Sequence, residues 1–593
     1  MTVHRVGILA MGLLPALGQP LAAERVVTLA THCLLNGPAY ENRAAVMAAL
    51  ARTPAGADLV VLPHLPYLSF ASARADADLA DVAGFARERR CYLALAMTET
   101  DGDLTYHSAV LFDRQGARVG IYRKAHALAD DGAISLGNDL PVFETDFGRI
   151  GLTIGTDIYL PEIHQVLSLK GADVLVWHHY PERLRDHSAW EPMLMARCLD
   201  AHAHMVTAMY ADPRAYITHS HASGMQGAAW GRSMVLNRVG TPIADTGYED
   251  GIATARVDLD KRKLDVYLPD VTEAEAIFYV NNFGDRTAFK PIAEPWRAPV
   301  LPTYAKRTCR LVVGTFPREQ AWVRGKVPEG MLRLLDEAAA LQPDLVVLSE
   351  QSTSSVDATT REVMQTVAAK AKAMGSYIAI GGIGDDQQIS IMRVWDRAGR
   401  EIYGQPLYWP KGFPEIKVFD TDFGRVASHE CGDLYLMEFD RVLALLGAEI
   451  IIDGSQMWGA SGRTNETLLR ARAADNGVWI ACAHWPSSDS SLRSLVIDPY
   501  GQIVAASHFN QAMLTHVDID LTQRRVYYAG RQEKQHPPGE RGIPAYYTGD
   551  LPEQRPGWRE MIFKARRPEL YGILPAENDV TRRYRTARRP PGP

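Results

Sequence analysis

From Arg310 onward the apolar residues come in short unbroken runs separated by longer amphipathic stretches. Arg310 to Thr315, Asp344 to Leu348 and Ser376 to Ile383 read as strands of the buried type. Between them, Glu329 to Leu341 and the Ala-rich Thr360 to Met374 carry helical patterns. Val26 to Ala30 gives an earlier strand signal of the same kind. Strands alternating with helices of this length predict an α/β fold with extensively buried sheets.

The same segments occur twice in the same order. Phe143 to Glu162 aligns without a gap on Phe419 to Glu438; both carry F-[ED]-T-D-F-G-R-[IV] and, six residues on, D-[IL]-Y-L-x-E. Ala57 to His64 matches Pro343 to Glu350, Ala172 to Trp177 matches Ala448 to Asp453, and Ala196 to Ala208 matches Ala471 to Ala483. A period of 276 residues is far too long for a solenoid, so the chain is a duplicated domain.

The 593 residues suffice for two large domains, and 47% hydrophobic with 22% charged residues is ordinary globular composition. A net charge of −7 gives no electrostatic reason to expect nucleic acid as a partner. Six cysteines are too few for a disulfide scaffold. Residues 1–23 have the three-part pattern of a secretory signal peptide: Arg5, an apolar run from Val6, and a small-residue end at Ala22-Ala23. This predicts a periplasmic or secreted protein; if 1–23 is not a signal, the protein is cytoplasmic. No segment is long and apolar enough for a membrane span. The expected domains are 24–262 and 307–526, joined by a Pro-rich linker or wrapping arm at 263–306 and followed by an arm and solvated tail at 527–593.

These landmarks resemble the carbon–nitrogen hydrolase (nitrilase) superfamily, whose sites combine a Glu closing V-V-x-P-E, a Lys after Y-R and a Cys in I-C-Y-D. The resemblance implies two tandem four-layer α-β-β-α sandwich domains, with the site at the strand ends and no cofactor. The first copy keeps the frame and loses the chemistry: His64 replaces the Glu, Lys124 is in place, and Gly155 stands at the nucleophile position. A metal site built from His64 with His178 and His179, or with His219 and His221, matches no ligand spacing. No metal is expected, and the first copy reads as a degenerate domain kept for structure.

The second copy keeps the reactive types. Glu350 ends its strand, and Cys431 falls opposite Gly155 in the ungapped repeat. The family-like lysine is Lys411, which lies 15 residues after Asp396, whereas Lys124 lies 11 after the matching Asp113. Glu415 is the candidate for the second Glu that often follows the Lys in this family. Gly432 stands where the family commonly has Tyr, and its N–H is a candidate oxyanion donor. The other cysteines, Cys33, Cys91, Cys198, Cys309 and Cys482, lie in apolar runs and read as core, with a disulfide between two of them open in an oxidising compartment.

A thiol needs activation at neutral pH. Glu350 as general base, Cys431 as nucleophile, and Lys411 with Gly432 on the oxyanion give a thioester route to amide cleavage. Among small-molecule amide or nitrile substrates, the superfamily favours an amide, so an amidase is the first expectation. A nitrilase or an amide-forming acyltransferase is the alternative. From another class stands a non-catalytic binding or scaffold protein with two degenerate sites. Trp409, Trp458 and Trp485 are candidate pocket aromatics, equally readable as core. Since family members commonly pair sandwiches through their helices, a tandem chain is expected to form that pair internally, with a higher homo-oligomer left open.

Overall fold

A computed structural model describes residues 25–35, 42–128, 131, 133–179, 190–211, 231–260, 286–315, 327–351, 356–384, 390–407, 415–456, 462–485, 493–508, 512–522 and 557–576. The signal-like segment 1–23 lies outside them.

Each copy is a pair of sheets between helices. In the second copy, one six-stranded sheet runs Glu401–Pro406, Ile391–Trp395, Tyr377–Ile380, Leu345–Leu348, Thr308–Thr315, Met513–Asp520. The facing sheet runs Val418–Asp420, Arg425–His429, Ile450–Ser455, Trp479–His484, Leu495–Ile497, Ile503–Ala506. The first copy repeats both orders, with Tyr210–Ala211 added to a seven-stranded sheet. Both copies close alike: the Leu259 N–H donates to the Arg25 carbonyl, and the Leu521 N–H to that of Arg307.

The strand period of two sorts the side chains. Leu311, Val313, Leu345 and Val347 meet Val426, Ile450 and Ile452 between the sheets. Alternate residues Val312, Val346 and Leu348 pack beneath the helices Glu329–Ala339 and Ala358–Met374. The second of these helices is delimited as its sequence dictates. The Asp357 carboxylate caps the Thr360 N–H, and Gly375 ends the helix at φ 64°.

We label the helices on the other face α1 (Pro161–Leu169) and α2 (Trp190–Ala201) in the first copy, and α3 (Met437–Leu445) and α4 (Gly462–Asn476) in the second. These four pack together in one continuous core. The layers therefore run helices, sheet, sheet, helices, helices, sheet, sheet, helices: two α-β-β-α sandwiches back to back within one chain.

The charges buried at this junction are reciprocal. Arg197 of α2 forks onto Asp475 of α4 at 2.7 and 2.9 Å, and Arg472 of α4 forks onto Asp200 of α2 at 2.6 and 2.8 Å. Each arginine also ties down a carbonyl of its own copy, Ile158 for Arg197 and Leu434 for Arg472. The connecting segments cross over. Arg286, after the first copy, reaches Glu438 of α3 at 2.9 Å and the Leu574 carbonyl. Arg566, after the second copy, reaches Glu162 of α1 at 2.8 Å and the Ile292 carbonyl. Tyr571 continues onto the first copy, its hydroxyl bonded to His126 at 2.7 Å. Residues 557–576 thus form a packed arm, and the Arg-rich end expected as a tail lies outside the described residues. Among the described residues no helix is long and apolar enough to cross a membrane.

Removing one partner of a buried pair strands the other charge and costs about 3–5 kcal/mol. Asp200→Ala, which strands Arg472, is expected to lower the denaturation midpoint of the whole chain, and Asp475→Ala by a similar amount. Midpoints unchanged in urea titration would mean that these pairs do not hold the copies together.

Candidate active site

The strands Arg149–Ile154 and Arg425–His429 lead into a short turn, Gly155–Tyr159 in one copy and Cys431–Tyr435 in the other. In each turn an Asp accepts the N–H of the residue before the turn: Asp157 that of Ile154 at 2.9 Å, Asp433 that of Glu430 at 3.4 Å. The first residue of each turn has φ +50°, and it is Gly155 in one copy and Cys431 in the other. Glycine adopts that conformation freely, whereas a residue with a side chain pays roughly 1–3 kcal/mol for it. The second copy therefore keeps a strained cysteine where its twin has the relaxed residue.

Cys431 is the accessible thiol. It is partly exposed, while Cys33, Cys91, Cys198, Cys309 and Cys482 are buried and all six are free thiols. Burial pushes Cys33 and Cys91 up to about 11, and it raises Cys198, Cys309 and Cys482 as well. The Cys431 side chain hydrogen-bonds Glu350, which also accepts the Gln456 N–H at 3.1 Å. Burial moves the Glu350 carboxyl up to about 7 despite these bonds, with Asp453 and Asp433 adding to the rise.

The strand parity separates two polar layers around this turn. On the helix side, His429 bonds Asp440 of α3 at 2.6 Å and faces Asp453 at 3.6 Å, all three fully buried. Burial disfavours charge on this imidazole, but the two carboxylates outweigh it and raise its pKa to about 10. Asp453 in turn accepts the Cys431 N–H at 3.4 Å and the Ser455 hydroxyl at 2.6 Å, which anchors the turn. On the sheet-to-sheet side stands Glu430, buried, with Oε1 accepting from the Gly382 N–H and from Ser390 Oγ at 3.0 Å.

Of the sequence candidates, Glu350 and Cys431 come together, and Gly432 follows in the turn, partly exposed. Lys411 lies outside the described residues. The strand register does locate the counterpart of Lys124. The Lys124 N–H donates to the His107 carbonyl, and the equivalent bond in the second copy runs from Leu407 to Ser390. Leucine thus occupies the place of that lysine, and Lys411 comes four residues later. Glu415 is exposed and faces Lys417 at 3.5 Å, three residues ahead of the strand Val418–Asp420. The carboxyl that joins Glu350 is Glu430. Sequence reading passed over it, although an acid set against Ile154 in an otherwise apolar strand was its visible signal. Trp485 is buried among Val312, Leu348 and Trp395 and is core, while Trp409 and Trp458 lie outside the described residues.

The first copy is filled in. Lys124 is fully buried, its Nζ donating to the Ile154 carbonyl at 2.7 Å and lying 3.2 Å from Asp157 and 3.5 Å from Asp131. His64 is buried against His107, ring centroids 4.5 Å apart; burial, then that neighbour, keep it well below its ordinary pKa and uncharged. His178 and His179 are buried too, and His219 and His221 lie outside the described residues. Among the described residues no group of His, Cys, Asp or Glu is arranged to hold a metal ion.

The carbon-nitrogen hydrolase family profile matches residues 37–264 and 392–528. Among curated relatives, the omega-amidase NIT2 of Danio rerio is 28% identical over 188 residues, 30% of this chain and 62% of its own length. The deaminated glutathione amidase of Homo sapiens is 30% identical over 176 residues, 28% of this chain and 51% of its own. The matches thus span about half to three fifths of those relatives. Among solved structures, Nit3 of Saccharomyces cerevisiae is 20% identical with a TM-score of 0.33, covering 39% of this chain and 90% of its own. A mutant amidase from Nesterenkonia sp. AN1 with acrylamide added at its active-site cysteine is 19% identical with a TM-score of 0.33, covering 40% and 96%.

Exposure and the Glu350 contact single out one thiol of six. Brief iodoacetamide treatment of the native protein is expected to add one label, mapped by mass spectrometry to Cys431. Equal labelling of Cys482 or Cys309 would contradict that selectivity.

Proposed function

Because the chain belongs to the carbon-nitrogen hydrolase family, we propose that its second copy cleaves a small amide through a thioester on Cys431. The observation that carries this reading is the strained, accessible Cys431 hydrogen-bonded to Glu350. Glu350 takes the thiol proton, and the sulfur attacks the amide carbon while the carbonyl electron pair moves to oxygen. Collapse of that intermediate breaks the C–N bond, and the leaving amine takes its proton from Glu350. Water then gives a proton to the same carboxylate, its oxygen attacks the thioester carbon, and the thiol is restored as the acid leaves. The Gly432 N–H and Lys411, four residues after Leu407 in the sequence, are the proposed oxyanion donors.

The names of the relatives favour an amide over a nitrile, since omega-amidase and deaminated glutathione amidase both denote amide cleavage. The first copy is proposed to act as support, its site closed by Lys124 and its helices holding those of the second. The marked boundaries 24–262 and 307–526 are the proposed limits of the two units.

Ammonia release from a panel of short aliphatic and aromatic amides and nitriles tests the reading. Cys431→Ala is expected to abolish release, and Glu350→Gln to reduce it about 100–10,000-fold. Only the ionised form of Glu350 accepts the thiol proton, so kcat/KM is expected to rise with pH through about 7 and level off above it. Release unchanged in Cys431→Ala, or a profile with no acid limb near 7, would refute the assignment.

A further inference from the structure

The mechanism above leaves one buried acid without a task. Glu430 directly precedes Cys431, is 1% exposed on the sheet-to-sheet side, and interacts electrostatically with Glu350. Its two oxygens are in different situations. Oε1 accepts two hydrogen bonds, from the Gly382 N–H and from Ser390 Oγ. Oε2 is buried and has no hydrogen-bond partner among the described residues. The backbone has made room for this side chain: Gly382 has φ +72°, and a methyl group at Gly381 would stand 3.1 Å from Glu430 Oε1 and 3.3 Å from Glu350 Cα. The Glu430 carboxyl and the Glu350 backbone are therefore packed about one point, and the two acids are near enough for the charge on Glu350 to act on Glu430.

A buried carboxylate oxygen with no partner is costly, and more so next to a second negative charge. The asymmetry has a simple resolution. A carboxylic acid whose carbonyl oxygen accepts two donors and whose other oxygen carries a hydrogen presents that hydrogen to whatever enters the site. We infer that Glu430 is a further catalytic residue, its Oε2–H donating a hydrogen bond to the oxyanion that forms when Cys431 attacks. The inference rests on the thioester reading above.

The charge balance agrees. Before attack the group formed by Glu350, Glu430, Cys431 and the substrate holds one negative charge, on Glu350. After attack it holds one, on the carbonyl oxygen, with the thiol proton now on Glu350. Glu430 keeps its own proton throughout and transfers nothing. Were it ionised as well, the new oxyanion would form beside a second anion. Burial, then the charge on Glu350, hold the Glu430 carboxyl well above the carboxylate range. A neutral acid kept as a hydrogen-bond donor by its surroundings is a known way to stabilise an oxyanion. The two copies differ as this role requires. The first has Lys124 with Ile154, and the second has Leu407 with Glu430, so the long polar side chain moves from one strand end to the other.

Two reagents separate the thiol from the oxyanion donor in the full-length protein. Iodoacetamide alkylates sulfur with loss of iodide and forms no oxyanion, whereas p-nitrophenyl acetate acylates it through one. The ratio of acylation to alkylation at Cys431, followed by mass spectrometry, cancels changes in thiol reactivity. Glu430→Leu is expected to alkylate within a few-fold of wild type and to acylate about 100–1,000-fold more slowly. In Glu430→Gln the Gly382 N–H claims the amide oxygen and leaves the NH2 where Oε2 stood, so most of the acylation rate should remain. The wild-type ratio should fall as pH rises and Glu430 ionises, and that of Glu430→Gln should stay flat.

Glu430→Leu with an unchanged ratio, or with both rates lost together, overturns the inference. Where Cys431→Ala abolishes amide hydrolysis and Glu430→Leu retains the wild-type rate, the thioester reading stands and this inference alone falls. A wild-type Cys431 that takes neither reagent sinks both.

Discussion

The back-to-back junction depends on two arginines that each serve both copies. Arg472 holds the Leu434 carbonyl, within the turn that begins at Cys431, and is itself held by Asp200 of the first copy. Arg197 does the same for Ile158 with Asp475. A guanidinium in an apolar interior is tolerable only with a bidentate partner and a further acceptor, and here the carboxylate comes from the other half of the chain. The conformation of the turn that carries Cys431 is thus tied to the copy that has Gly155 at the matching position. The crossing of Arg286 and Arg566 onto opposite copies repeats the dependence at the margin of the same interface.

The two sites show how one frame is kept for two ends. Both turns begin with a residue in the same left-handed conformation and hold the same bracing Asp, so the backbone geometry is kept with and without a thiol. In the first copy Lys124 lies beside this turn, paired with Asp157 and Asp131 and cut off from solvent. In the second, the space beside Cys431 stays polar on both faces of the strand. Asp453 and His429 lie behind it, where the first copy has Trp177 and Thr153, and Glu430 lies in front, where it has Ile154.

Much of this was legible in the chain. The 276-residue repeat set the two domains side by side, and the ungapped match of Gly155 with Cys431 marked the turn before any strand was placed. The crossing arms were not legible, because one arginine in an irregular segment has no period to betray it. Nor was the lysine position: the loops differ in length, and only the bonds from Lys124 to His107 and from Leu407 to Ser390 fix which residues correspond. Glu430 was in plain view in H-E-C-G-D, but its meaning depended on which side of a strand its side chain takes. Glu415 drew attention through its place in the order of motifs, and it sits in solvent.

Joining the halves covalently has one consequence that reaches beyond this site. In a dimer of identical chains, any substitution at the turn appears in both subunits, so the reactive residue cannot be discarded from one and kept in the other. Once the two sandwiches share a polypeptide, each position is inherited separately. One half can then differ from the other at the turn while keeping the surface it offers its twin. Gly155 and the buried Lys124 stand in a half whose fold could not be lost without exposing α3 and α4.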